Sequence, residues 1–405
     1  MGVVRLISVY GVLLSGVLVF GDNGNSFTDA VNKLVQKNPL ISAIDSEIKG
    51  LDTLHSKSKQ YLDPTVSTSV DCSGLNEFGL GIEQTFERSI KQRTRKELYE
   101  KKIDLKKTEK IRQEHVLHIE ASRRYLPVLF GLQKVNIVDS MITESFILDT
   151  MIQRYVDAGA ILHTDALKAK LDIEKYRMQR FDLMMDAERA RAHFCSMSPS
   201  DSLLLMSVEA SINESFVLPD IKQIAINLEK SFGYEIVNAE SAIIDTEKKL
   251  VKAEAKKDLT LGLEYSRNRT ERENTLTAEV SIDLPLFRNV DREQADLEHQ
   301  KSALLFRYKS EITATLGEIR DIYRQISMLE QKNRMISDTI IPSLIKQYDT
   351  YMSIYKEGKG SFRDVSEIRM ELHGYKMEVL DNEMSIMILA IDVAEKSGIK
   401  PEVLK

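Results

Sequence analysis

Two hydrophobic periods alternate along this chain. Between Leu259 and Leu284 the period is two. Leu259, Leu261, Leu263 and Tyr265 alternate with Thr260, Gly262, Glu264 and Ser266. After a charged turn, Arg267 to Glu273, the residues Ala278, Val280, Ile282 and Leu284 alternate with Thr277, Glu279, Ser281 and Asp283. Such alternation predicts strands with one apolar and one polar face. A second pair stands nearer the start. Val66, Thr68 and Val70 oppose Thr65, Ser67, Ser69 and Asp71; after a turn from Cys72 to Asn76, Phe78, Leu80 and Ile82 alternate with Glu77, Gly79, Gly81 and Glu83. The apolar faces need either a covering sheet or lipid.

The rest of the chain is helical by pattern. A helix capped by Ser26 or Thr28 is expected to run to about Leu62, with Val31, Leu34, Ile41, Ile44, Ile48 and Leu51 on its apolar face and Asn38-Pro39 interrupting it. Asp63-Pro64 ends it, because the proline ring disfavours a helical Asp63. From Glu87 to about Tyr155 a helix of some 69 residues is predicted, roughly 100 Å at 1.5 Å per residue. Asp157-Ala158-Gly159 breaks it, and a shorter helix follows from Leu162 to Cys195 with Leu167, Leu171, Ile173, Phe181 and Met185 as its core face. A mixed linker over 199–219 leads to the second half. There a helix is expected from Asp220 to Lys257, a long one from Arg288 to Tyr355 and a last one from Phe362 to Ser397, separated by Gly358 and Gly360. Leu305, Tyr308, Ile312, Leu316, Ile319, Tyr323 and Ile326 form a narrow seam suited to coiled-coil packing.

The order is therefore duplicated at an offset of about 200 residues: Tyr155 to Gly159 then Asp165, against Tyr355 to Gly358 then Asp364. The repeats cover 22–198, with strands at about 64–84, and 220–398, with strands at about 259–284; 399–405 is a tail. In the first repeat two short helices of about 35 and 34 residues add up to one long antiparallel partner of about 69; in the second, helices of about 38 and 36 stand against one of about 68.

Composition agrees. Eight prolines and eighteen glycines in 405 residues, with 29% charged, suit long helices. A net charge of −6 argues against a nucleic-acid partner. The basic run Lys91, Arg93, Arg95, Lys96, Lys101, Lys102, Lys106, Lys107, Lys110 and Arg112 is expected to be a solvated helix face. Arg5 before an apolar run to Phe20, with Val19 and Gly21 at the −3 and −1 positions, predicts a signal peptide over 1–21 and export. No cysteine follows it, so the usual lipoprotein signal is missing. No other stretch suits a transmembrane helix, so any membrane insertion is by strands. Four strands cannot close a barrel, which starts at about eight, and an open edge in lipid is forbidden. Three copies give twelve strands.

Nothing points to catalysis, a metal or a cofactor. His115 and His118 share a helix face beside Glu114 without a third ligand, and a surface position is expected for both. Cys72 and Cys195 show no redox or metal spacing. The fifteen methionines look like core filling.

With this order in place, the chain resembles the TolC-like outer-membrane factor family from about Phe27 to Gly398. The resemblance rests on Asn38-Pro39, the two strand pairs, Leu284-Pro285-Leu286-Phe287 and the paired Tyr…Gly…Asp turns. It implies a mainly α chain with a small β-barrel portion, duplicated helix-strand-strand-long helix-helix units, and a homotrimeric α/β-barrel channel-tunnel. It also implies a passive exit duct, in the outer membrane with a long periplasmic portion, of a tripartite efflux pump or type I secretion system. Its partners would be a periplasmic adaptor (membrane fusion) protein, through it an inner-membrane transporter of RND or ABC type, and outer-membrane lipid. The gate at the periplasmic end would be formed by Thr164, Asp165, Tyr355, Asp364 and Glu367. The tip turns with Asp157, Gly159, Glu357, Gly358 and Gly360 would receive the adaptor. Some family members carry an arginine where Gly360 stands, with Lys359 and Arg363 nearby here, so a like-for-like gate bridge is not expected. Asp165 and Asp364 could instead be helix N-caps. Val66, Val70, Phe78, Leu80, Leu261, Leu263, Val280 and Ile282 would face lipid. The competing reading is an exported coiled-coil adaptor or scaffold with a soluble β-domain.

Overall fold

The computed structural model describes residues 31, 34–70, 77–159, 161–197, 221–228, 231–269, 272–282 and 289–398. The expected signal peptide over 1–21, Ser26 and Thr28, Cys72, the 199–219 linker, Asp283 to Phe287 and the tail lie outside them. The elements are α1 (Pro39–Lys57), β1 (Thr65–Val70), β2 (Glu77–Phe86), α2 (Ser89–Asp157), α3 (His163–Cys195), α4 (Ile221–Asn227) and α5 (Phe232–Glu254), followed by β3 (Leu259–Asn268), β4 (Glu273–Ile282), α6 (Val290–Met335), a π-helical turn (Ile336–Ile340), α7 (Ile341–Lys356) and α8 (Phe362–Ser397). The chain divides into two compact units, one containing 42–112 and 232–312, the other the remaining segments.

The first unit carries the sheet. Its four strands follow one another in the order β1-β2-β3-β4, antiparallel throughout. β2 pairs with β3 over its full length, from Glu77↔Asn268 to Phe86↔Leu259, so the hairpins of the two sequence repeats join as one sheet. The β3–β4 turn is tighter than the charged run suggests. Arg267 pairs with Asn274 inside the ladder, and Arg272 takes a positive φ of 54° in the turn. At the base of the sheet Asp258 accepts from the Arg88 amide at 3.1 Å and from Lys91 Nζ at 2.6 Å, tying the start of α2 to the start of β3.

That contact corrects the reading of the basic run. Lys91 is buried, Arg95 forks onto Glu87, Lys106 reaches Glu47 and Glu109, and Lys110 reaches Asp45 at 2.7 Å. The cations face acids of this unit rather than water alone. Asn38-Pro39 interrupts the first helical stretch as expected: residues 34–36 are helical, the helix breaks at Asn38, and α1 restarts at Pro39, with Asn38 Oδ1 accepting from the Leu40 amide at 2.9 Å. α1 stops at Lys57, short of Leu62, where the Ser58 hydroxyl donates to the His55 carbonyl.

The second unit is helical. α2 runs for 69 residues through Pro127. Its Leu117, Ala121, Tyr125 and Leu129 pack with Val31, Leu34, Val35, Ile41 and Phe194. Further along, Ile119, Leu126 and Phe130 pack with Ile391 of α8. Two expectations fail here. The buried residues of α3 are Ala166, Ala169, Asp172, Ile173, Tyr176, Ala187 and Phe194, while Leu167, Leu171, Phe181 and Met185 are exposed; small side chains let the helix approach its neighbours closely, and the large ones point away. The helix expected from Asp220 to Lys257 is split into α4 and α5. The long helix up to Tyr355 forms as expected and carries a π-helical turn just before Pro342, which has no N–H to give to a regular ladder. Along the seam, Ile319, Ile322 and Ile326 are buried and Leu305 is not. No described helix is long and apolar enough to cross a membrane.

Candidate functional site

The two inter-helix turns at Gly159 and Gly358 are built alike. After α2, Gly159 takes φ +70°, and its amide bonds the Val156 carbonyl at 2.9 Å. After α7, Gly358 takes φ +73°, its amide bonds Tyr355 O at 2.9 Å, and the Lys359 amide bonds Ile354 O at 3.2 Å. This pair of bonds is the Schellman closure, which needs a left-handed residue past the helix end. Gly360 is favoured for a different reason: a Cβ there would stand 3.1 Å from the Tyr355 backbone nitrogen, a tight contact.

Each returning helix presents an aspartate at its third position, Asp165 on α3 and Asp364 on α8. Neither is the cap. Ser361 caps α8, accepting from the Arg363 amide at 3.1 Å, and Leu162 precedes α3 with no side-chain cap. A carboxylate in the first turn still gains from the positive end of the helix dipole.

The structure brings Asp165 and Tyr355 together. Tyr355 is 2% exposed, packed among Leu148, Ile152, Ala166, Ala169, Phe362 and Val365, with its ring 6.0 Å from that of Phe362. Its hydroxyl donates to Asp165 Oδ2 across 3.5 Å, at the long limit of a hydrogen bond. Burial and then the Asp165 charge raise the phenol's pKa well above its usual value. Thr164 is exposed beside this pair. Asp364 is half-buried. Glu367 is exposed and pairs with Arg363 Nε at 2.6 Å on its own helix. In the turns, Glu357 pairs with Lys359 at 3.0 Å and Asp157 accepts from Gln153 at 3.1 Å.

The sheet is the second functional surface. Val66, Val70, Phe78, Leu80, Leu261, Leu263, Val280 and Ile282 are all exposed on one face, Val280 at 66%. The registers Leu80↔Tyr265 and Leu261↔Val280 carry this face across all four strands. The other face is polar. Glu264 accepts from Ser69 Oγ at 3.1 Å, and Gly79, Gly81 and Gly262 leave room for Ser69, Ser67, Glu264, Glu83 and Glu279.

His115 and His118 are half-buried rather than fully at the surface, with His115 Nε2 and His118 Nδ1 closed off from solvent. Burial lowers both pKa values, that of His115 to about 4, with the His118 charge acting in the same direction. Among the described residues no group of three or more His, Cys, Asp or Glu is placed to hold a metal ion. Sequence reasoning also missed a polar layer inside the helical unit, formed by Asp172, Tyr176, Ser366, Arg369 and His373. The spacing Phe362, Val365, Arg369, Leu372, His373 puts Arg369 on the buried stripe of α8, and that was the available signal.

No protein-family model matches this chain, and no curated protein matches its sequence. Solved structures do match. The chain is similar to CusC with a TM-score of 0.71 at 12% identity, covering 97% of this chain and 99% of that one. It is similar to the open state of the Neisseria gonorrhoeae MtrE outer membrane channel (0.70, 10%, 97% and 94%). The outer membrane protein VceC of Vibrio cholerae gives 0.67 at 11%, over 91% and 96%. At such identities the likeness speaks for the fold, and on that ground this chain has the fold of the TolC-like outer-membrane channels.

Proposed function

We propose that this protein is a passive, non-enzymatic duct of the outer membrane, closed as a homotrimer, whose long helices continue through the periplasm. The observation that carries the proposal is the sheet. Its apolar face is exposed along all four strands, and no described element covers it. About half of each of the eight large side chains named above is open. At roughly 1 kcal/mol for each uncovered half, water contact would forgo about 8 kcal/mol. That is comparable with the whole net stability of about 5–15 kcal/mol of a folded domain. Lipid removes the conflict. The outermost strands β1 and β4 would then pair between copies, and three copies make a twelve-stranded barrel without an open edge.

The two glycine turns are the surface that a periplasmic adaptor's helical hairpins would meet, with an inner-membrane transporter behind it. Drug efflux and protein secretion both use such an arrangement. Asp165 with Tyr355 would hold each subunit's tip, and Asp364 and Glu367 would line the aperture. The test is fractionation of cells without detergent: the mature protein should sediment with outer membranes. Recovery in the soluble periplasm would replace the duct by the adaptor or scaffold reading.

A further inference from the structure

The polar layer inside the helical unit is not accounted for by lipid, adaptor or aperture. Arg369 of α8 is 2% exposed, and its Nε and Nη1 have no hydrogen-bond partner among the described residues. No described carboxylate forms an ion pair with it. Its guanidinium carbon instead lies 5.6 Å from the ring centroid of Tyr176 on α3, a cation–π contact. The Tyr176 hydroxyl is itself buried without a bond of normal geometry. One turn along α8, His373 is equally buried. Its Nε2 comes within 3.2 Å of Glu144 Oε2 on α2, but off the direction that a hydrogen bond needs. One turn the other way, Ser366 donates to Asp172 Oδ2 at 2.5 Å, so that carboxylate is already engaged. Tyr348 of α7 is close enough to Arg369 to feel its charge. Four helices therefore present groups to one layer.

The neighbouring packing shows how unusual the layer is. Toward the turns the core is Leu148, Ile152, Ala166, Ala169, Tyr355, Phe362 and Val365, and on the other side Val138 and Met141 pack beside Tyr176. A fixed cation between two apolar clusters must be paired or solvated to be inexpensive. Nε and Nη1 of Arg369 are closed off from solvent in this packing. A ligand cannot supply the missing partner unless the helices move first.

We infer that Arg369 is a positioning residue of the tip: it leaves the packing of α8 against α3 and α7 unfinished, and so biases the helices toward separation. Rotation of α8 away from α3 would expose the guanidinium to water and to Glu144, whose side chain is half-exposed. This inference rests on the duct reading, in which the tip must open.

The experiment compares wild type with Arg369→Met and Tyr176→Phe, as purified full-length protein. Thermal unfolding in detergent reads the packing, and single-channel recording in planar bilayers reads the opening. Arg369→Met fills the same space without the charge. It is expected to raise Tm by a few degrees and to lower the open fraction several-fold, and Tyr176→Phe should shift both in the same sense, less. A lower Tm, failure of Arg369→Met to assemble, or wild-type opening in both variants overturns the inference. Absence of any conductance from the wild type overturns the duct instead, while the Tm comparison still decides whether Arg369 leaves the packing unfinished.

Discussion

At the scale of single residues, burial decides the behaviour of the titratable groups. His115 is held neutral down to about pH 4 by burial and by His118, against an ordinary value of 6.5. The unfolded chain therefore binds more protons than the folded one between those values, and stability falls as pH drops through that window. Each unit of difference corresponds to roughly 1.4 kcal/mol. His115→Gln should lose less Tm between about pH 7 and about pH 4.5 than wild type does; equal losses would place the acid sensitivity elsewhere. The carboxylates proposed for the aperture act differently. Glu367 and Arg363 are both exposed, and such a surface pair is weak, so Glu367 can exchange partners. Asp364→Ala combined with Glu367→Ala is expected to weaken the block of single-channel current by trivalent cations. Undiminished block would remove the acidic ring from the aperture.

At the scale of elements, a face is tested by what it tolerates. Val280 lies opposite Leu261 on the apolar face of β4, and Thr277 lies opposite Glu264 on the polar one. Arg at a lipid-facing midplane position costs about 2–4 kcal/mol. Val280→Arg should therefore deplete the protein from the outer-membrane fraction, while Thr277→Arg should leave insertion intact. Equal insertion of both would show that the two faces are not lipid and water. Strand period and glycine position were readable from the chain: α8 begins and ends at the expected Phe362 and Ser397, and the expected apolar strand residues that are described share one face. The side of α3 that meets its own subunit was not. A stripe such as Leu167, Leu171 and Phe181 has the same period whether it enters its own core or another chain. The alanines that mark the true contact carry little hydrophobic signal. The Arg369 layer escaped for a related reason, since a single arginine in a helical stripe reads as a surface residue until its neighbours are known.

At the scale of the molecule, the exposed stripe of α3 becomes informative. Leu167, Leu171, Met178, Phe181 and Met185 follow the three-and-four spacing of a helix seam and are all exposed, Phe181 at 65%. On the duct reading proposed above, this stripe is the face expected to meet a second copy. Leu171→Glu with Phe181→Glu should yield chains of unchanged helicity that run as monomers in detergent sedimentation. A persisting trimer would move the contact elsewhere. The pairing of β2 with β3 has a consequence for such an assembly. Six hairpins arranged in a ring meet at six seams, and because both hairpins of a chain are covalently joined, three of those seams form at an effective concentration that dilution cannot change. Only the β4–β1 seams obey mass action. A ring of six separate hairpins would face dilution at every joint, whereas this chain confines the concentration dependence of closure to half of them.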